Sequence, residues 1–114
     1  MIEKHPAIYI MANRYRGTIY VDVSSDLWSR VANHKNGSMP GFTTRFGAKS
    51  LVWYEHRQTM EAAIRREKQI KAWKRDWKIH LIEKMNPDWL DLHESIDVIA
   101  TLVEEEAGPQ LSLG

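Results

Sequence analysis

The sequence predicts a compact α/β domain, and three observations carry that prediction. Two short runs rich in β-branched and aromatic residues, 7–12 and 18–23, flank a polar, glycine-containing link of the hairpin kind. A third such run, Leu51-Val52-Trp53-Tyr54, comes later in the chain. Between and beyond these strands, apolar residues recur at helical spacing. A chain of 114 residues, 43% apolar and 27% charged, suits one domain around a single modest core.

The first strand reads Ala-Ile-Tyr-Ile-Met-Ala and the second Thr-Ile-Tyr-Val-Asp-Val. In the link Asn13-Arg14-Tyr15-Arg16-Gly17, Gly17 is expected to take the positive φ of the turn. Alternation along the second strand puts Ile19, Val21 and Val23 on one face and Thr18, Tyr20 and Asp22 on the other. A helix is expected to start at Ser24, Ser25 or Asp26, all good N-caps, and to stop near Gly37. Residues 36–47, with Gly37, Pro40, Gly41 and Gly47, read as a loop. From Met60 to about Arg75 a helical stripe runs through Met60, Ala63, Ile64, Ile70 and Trp73. Asp76 is the expected cap of a further helix with the stripe Trp77, Leu81, Ile82 and Met85, ending before Pro87. Beyond His93, Ile96, Val98, Ile99 and Leu102 form a weak apolar segment. Residues 1–93 are therefore read as the domain, and 94–114 as an acidic, partly disordered tail.

Composition narrows the function classes. No apolar run approaches the ~20 residues of a membrane helix, and the N-terminus lacks the pattern of a secretory signal. The absence of cysteine excludes disulfides and thiolate metal sites, which suits a reducing cytoplasm. Residues 1–92 carry all 16 Lys and Arg against 10 acids, +6, whereas 93–114 carry five acids and no base, −5. A basic body fits a polyanionic partner, with the tail screening or competing for the site. A solvated surface with a disordered end fits the same charges.

Glu67 is the sharpest single signal. It lies four residues after Ala63 and three before Ile70, on the apolar stripe, where an ionised carboxylate needs a partner or a metal. A salt bridge to Lys71 at i+4, or a position at the rim of the stripe, would also satisfy it. Arg30 and His34 stack one turn apart: either an exposed polar face or a cationic pair able to clamp a phosphate. Tyr9 and Tyr20, taken singly, read as ordinary sheet aromatics. Trp73 and Trp77 are read as core residues, with stacking on unpaired bases as the alternative.

In order along the chain stand Ala7-Ile8-Tyr9, Tyr20-Val21-Asp22, Ser25-Asp26-Leu27 leading to Arg30 and His34, and then Glu67. With His34-Lys35-Asn36-Gly37, Pro40-Gly41-Phe42-Thr43, Glu61-Ala62-Ala63-Ile64 before Arg66-Glu67-Lys68-Gln69-Ile70-Lys71, and Met85-Asn86-Pro87, this set resembles the GIY-YIG endonuclease superfamily. The likeness is to its small stand-alone bacterial branch and to the N-terminal domain of the excinuclease C subunit, and it spans roughly residues 6–92.

The resemblance implies a small three-stranded antiparallel sheet flanked by helices, cutting DNA, structured or single-stranded, in repair or recombination. It assigns Glu67 to one Mg²⁺ or Mn²⁺ ion and Arg30 to the charge of the transition state. Tyr9 and Tyr20 would position and deprotonate the attacking water, with either as base. His34 would assist proton movement, and Asn86 is the candidate counterpart of a supporting asparagine. DNA grip is expected from Lys35, Arg65, Arg66, Lys68, Lys71 and Lys74, with Arg75 and Lys78 continuing the basic run. One position departs from the pattern: Asp22 stands where the second motif has glycine. Aspartate there repels phosphate, adds a metal ligand, or caps and pairs near Ser24 or Lys35. A nucleic-acid-binding module that has lost turnover through Asp22, and a protein-interaction domain, are the alternative readings.

Overall fold

The computed structural model describes residues 5–37 and 47–96. Strands β1 (Ala7–Ala12), β2 (Ile19–Ser24) and β3 (Ser50–His56) form one antiparallel sheet in the order β2-β1-β3. Helix α1 (Leu27–Lys35) follows β2, and helices α2 (Met60–Ala72) and α3 (Arg75–Met85) follow β3. A short 3₁₀ turn, His93–Ser95, ends the described part. This is the α+β architecture the sequence predicts.

The central strand explains its own composition. Every residue of β1 is buried, so both of its faces need apolar side chains and the run reads as continuously hydrophobic. Ile8, Ile10 and Ala12 pack with Val21, Val52, Ala63, Ile70 and Ile82 beneath α2 and α3. Ala7, Tyr9 and Met11 pack with Leu27, Val31, Leu51 and Tyr54 beneath α1. The register sets Tyr9 opposite Asp22 on β2 and Tyr54 on β3. Ile19, Val21 and Val23 face the first cluster and Tyr20 the second, as alternation requires. Ile96, which the sequence reading put in the tail, is only 3% exposed and belongs to the second cluster. Val98, Ile99 and Leu102 lie outside the described residues.

The hairpin turns differently from the expectation. Arg16, with φ +51°, takes the left-handed conformation, and Gly17 does not. Gly17 is needed for space instead: a Cβ there would lie 2.2 Å from Asn13 Oδ1. Asn13 Oδ1 meanwhile accepts from Thr18 N at 2.9 Å, closing the turn. Its tip is clamped to α3, because Arg16 makes a two-pronged bond to Glu83 and Arg75 donates to the carbonyls of Arg16 and Gly17.

Helix boundaries and stripes carry three further corrections. Asp26 caps α1 by accepting from Ser29 N, and Thr59 caps α2 by accepting from Ala62 N. Helix α3 starts at Arg75 with Lys74 at the cap position, so Asp76 sits in the first turn rather than capping it. The buried stripe of α2 is Ala63, Glu67 and Ile70, while Met60 and Ile64 are exposed. On α3 only Ile82 is fully buried, and Trp77 and Met85 are exposed. The anchors at Arg75 and Glu83 fix the rotation of α3, turning Ile79 and Ile82 inward and Trp77 out.

Candidate active site

The α1 face of the sheet gathers most of the residues singled out from sequence. Leu27, Val31 and His34 recur at i, i+4 and i+7 and bury one stripe of α1 against it. His34, only 2% exposed, is thereby carried to the hydroxyl of Tyr9, itself 0% exposed, with Nε2 2.9 Å from the phenolic oxygen. An exposed polar face is thus excluded for His34. Burial, with the nearby Arg30 charge, holds the His34 imidazole below its usual pKa, against the opposing pull of Asp22. Tyr9 is shifted strongly upward, first by burial and then by the Asp22 carboxylate, with Arg30 opposing. At rest this pair is neutral.

Tyr20 occupies a more open place on the same face. Its hydroxyl donates to Asp22 Oδ2 at 2.9 Å, and Asp22 Oδ1 accepts from Val23 N at 2.8 Å. Arg30 NH1 lies 3.7 Å from Asp22 Oδ2, a loose ion pair with both side chains partly exposed. Burial first, and then the hydrogen bond and charge of Asp22, push the Tyr20 phenol up to about 12. The partners of Asp22 are therefore Tyr20 and Arg30; Lys35 pairs instead with Asp91, which also accepts from the main chain at Leu51 and His93.

Glu67 comes from the opposite layer. Helix α2 packs chiefly against β2, the edge strand, so Glu67 stands close enough for its charge to help keep Tyr20 protonated. It is 8% exposed and accepts from Lys71 Nζ at 2.7 Å, the i+4 pair the sequence allows. Among the described residues no three His, Cys, Asp or Glu side chains come together as a metal cluster. A lone carboxylate nevertheless suits Mg²⁺, which keeps several waters and takes its remaining ligands from substrate phosphate. The Lys71 side chain is half exposed.

The family-model comparison matches residues 5–80 to the GIY-YIG catalytic domain. The chain belongs to the GIY-YIG family. Its fold is accordingly of the nuclease type. Curated relatives are UPF0213 proteins: one from Staphylococcus epidermidis is 29% identical over 73% of this chain and 99% of its own length. One from Staphylococcus saprophyticus is 31% identical over the same shares, and one from Bacillus pumilus is 27% identical over 82% of this chain and 95% of its own. No solved structure matches the chain. Among the described residues, no helix of this GIY-YIG domain is long and apolar enough to cross a membrane.

The remaining sequence candidates divide. Asn86 is buried, with Nδ2 donating to Val52 O and Leu90 O and Oδ1 accepting from Leu90 N, so its amide ties β3 to the segment after α3. Arg66 pairs with Glu55 and lies over the Trp73 ring, and Arg75 is committed to the hairpin. Arg65, Lys68 and Lys74 are exposed on the surface. Sequence reasoning missed Asp91 and Glu83, the acids that hold Lys35 and Arg16. Their partners lie 56 and 67 residues away, where no local pattern points.

Proposed function

We propose that this chain is a divalent-metal-dependent endonuclease hydrolysing DNA phosphodiester bonds, on structured or single-stranded DNA in repair or recombination. One observation carries the reading: Tyr20, Asp22 and Arg30 form a partly open polar cluster beside Glu67, backed by the buried Tyr9–His34 pair. Arg30, loosely held and partly exposed, can turn its guanidinium onto a phosphate and stabilise the charge that develops at phosphorus. Tyr20 is the phenol within reach of substrate and would orient the attacking water. With its pKa near 12, only roughly 10⁻⁵ of it is ionised at pH 7, so taking a proton from water needs added positive charge. Glu67 would hold the ion, which when bound supplies that charge and polarises the phosphate. His34 fixes Tyr9, and Tyr9 helps seal the floor of the cluster.

A second reading has its own observation. The Asp22 carboxylate already engages Arg30 and takes the Tyr20 hydrogen bond, so a nucleic-acid-binding module with weakened turnover fits the same geometry. Grip in either case draws on the exposed Arg65, Lys68 and Lys74, with Lys35, Arg66 and Lys71 adding charge beside their acidic partners. Incubating supercoiled plasmid and a branched oligonucleotide with the protein, with and without Mg²⁺ or Mn²⁺, tests the choice. Metal-dependent cleavage supports the nuclease, retention without cleavage supports the binding module, and no affinity at low salt overturns both.

A further inference from the structure

The outer surface of the α2–α3 layer carries two neighbouring cavities that the catalytic cluster does not use. The larger, of about 510 Å³, is lined by Trp73, Trp77, His80, Leu81 and Lys84. Trp77 is 63% exposed, an unusual cost for the largest apolar side chain, and meets Trp73 edge to face at 6.0 Å between centroids. The smaller, of about 140 Å³, is lined by Arg57, Arg65, Arg66 and Gln69 together with Ala62. Arg66 joins them, because its guanidinium lies 5.3 Å from the Trp73 ring centroid. Glu55 pairs with two of these arginines, Arg57 and Arg66, so the niche holds three arginines against the one acid its ion pairs show. An aromatic, apolar cavity beside a cationic niche has the make-up of a surface that takes bases and phosphates side by side.

We propose that this strip binds unpaired nucleotides, with a base stacked on Trp77 against Trp73 and its neighbouring phosphate in the niche of Arg57, Arg65 and Arg66. The inference rests on the nucleic-acid reading above and names its substrate class: DNA with a single-stranded segment. Base–aromatic stacking is tolerant of sequence because every base has a π-face, whereas the arginines supply a salt-dependent grip on the backbone. A paired base cannot turn its face to Trp77, so the strip separates single strands from duplex.

The test is fluorescence anisotropy with the full chain in EDTA, using a labelled oligo-dT strand and a duplex of equal length. Trp77→Ala weakens the single strand roughly ten-fold, the scale of one lost stack, and leaves duplex affinity and the salt slope unchanged. Trp77→Tyr restores most of the loss. Arg65→Ala weakens both forms and lowers the salt slope by about one. Equal loss on both forms with Trp77→Ala, or no loss on either, overturns the proposal, and so does an absence of DNA binding at low salt. Metal-dependent cleavage with an unaffected Trp77→Ala leaves the nuclease standing and removes the strip. Selective loss of single-strand binding in a protein that never cleaves leaves the strip standing and removes the nuclease.

Discussion

Tyr9 and Tyr20 stand on paired strands, face the same side of the sheet and share Asp22 and Arg30 as charged neighbours, yet they differ in burial and in hydrogen-bond partner. Tyr9 is wholly enclosed and meets a buried histidine held neutral by burial. Tyr20 is half-buried, donates to a carboxylate, and feels the charges of Asp22, Arg30 and, more weakly, Glu67. The sequence presents the two as equivalent parts of paired motifs. Burial distinguishes them: the enclosed phenol is bonded to His34, and the partly open one, bonded to Asp22, is the one that the proposed reading sets against water and phosphate.

The strongest test of that division acts through Glu67, whose charge helps keep Tyr20 protonated. Glu67→Gln should abolish detectable cleavage while the melting temperature changes little, because the amide keeps the size of the side chain and the partner Lys71 is half exposed, able to be solvated without it. Spectrophotometric titration of the tyrosines should show Tyr20 ionising at lower pH in the variant. Wild-type turnover in Glu67→Gln would remove this carboxylate from the reaction.

Next in size is the direct contrast between the tyrosines. Tyr20→Phe should slow cleavage by roughly 10²–10⁴-fold, the usual contribution of a positioned proton-transfer group, with a melting temperature close to wild type. Tyr9→Phe should instead destabilise the fold by ~1–3 kcal/mol, because it removes the buried hydrogen bond between Tyr9 and His34. Denaturant unfolding and single-turnover cleavage on both variants check the pair. Equal effects on rate and stability in the two proteins would break the comparison.

Why the sequence showed the motif residues but not this inequality follows from the range of the interactions. Strand alternation put Tyr20 and Asp22 on one face, helical spacing put Glu67 on the buried stripe, and both hold in the structure. These are local periodicities. His34 meets Tyr9 across 25 residues, and α3 is rotated by Arg16–Glu83 across 67. That rotation exposes Trp77, which local spacing assigned to the core. Gly17 was legible as the turn residue, but its reason was space and the positive φ fell on Arg16.

Asp22→Gly has a smaller expected effect and sharpens the open half of the comparison. The aspartate contributes to keeping both phenols protonated and loosely engages Arg30. Its removal should tighten DNA binding about five-fold at low salt, equivalent to an exposed ion pair of ~1 kcal/mol, and cleavage should quicken. Glycine within a strand destabilises by ~0.5–1 kcal/mol, so Asp22→Asn serves as the control that keeps size while removing charge. A raised metal requirement in both variants would make Asp22 a metal ligand instead.

The smallest effect concerns the enclosed half and is read from stability against pH. The folded-state pKa of His34 lies below the unfolded reference of about 6.5, because burial and Arg30 disfavour its charged form. Below pH ~6.5 the unfolded chain therefore binds a proton that the native protein resists, and His34 draws stability down as the solution is acidified. Above that value the group contributes no such slope. His34→Gln should be less stable than wild type at neutral pH, yet it should lose less stability on going from about pH 7.5 to 5. Carboxylate titrations are shared by both proteins and cancel in the difference, which urea unfolding at stepped pH can read. Parallel curves would mean that His34 takes up its proton in the native protein as readily as in the unfolded chain. The Tyr9–His34 pair would then be open to water, and the enclosed and open tyrosines would no longer be distinct.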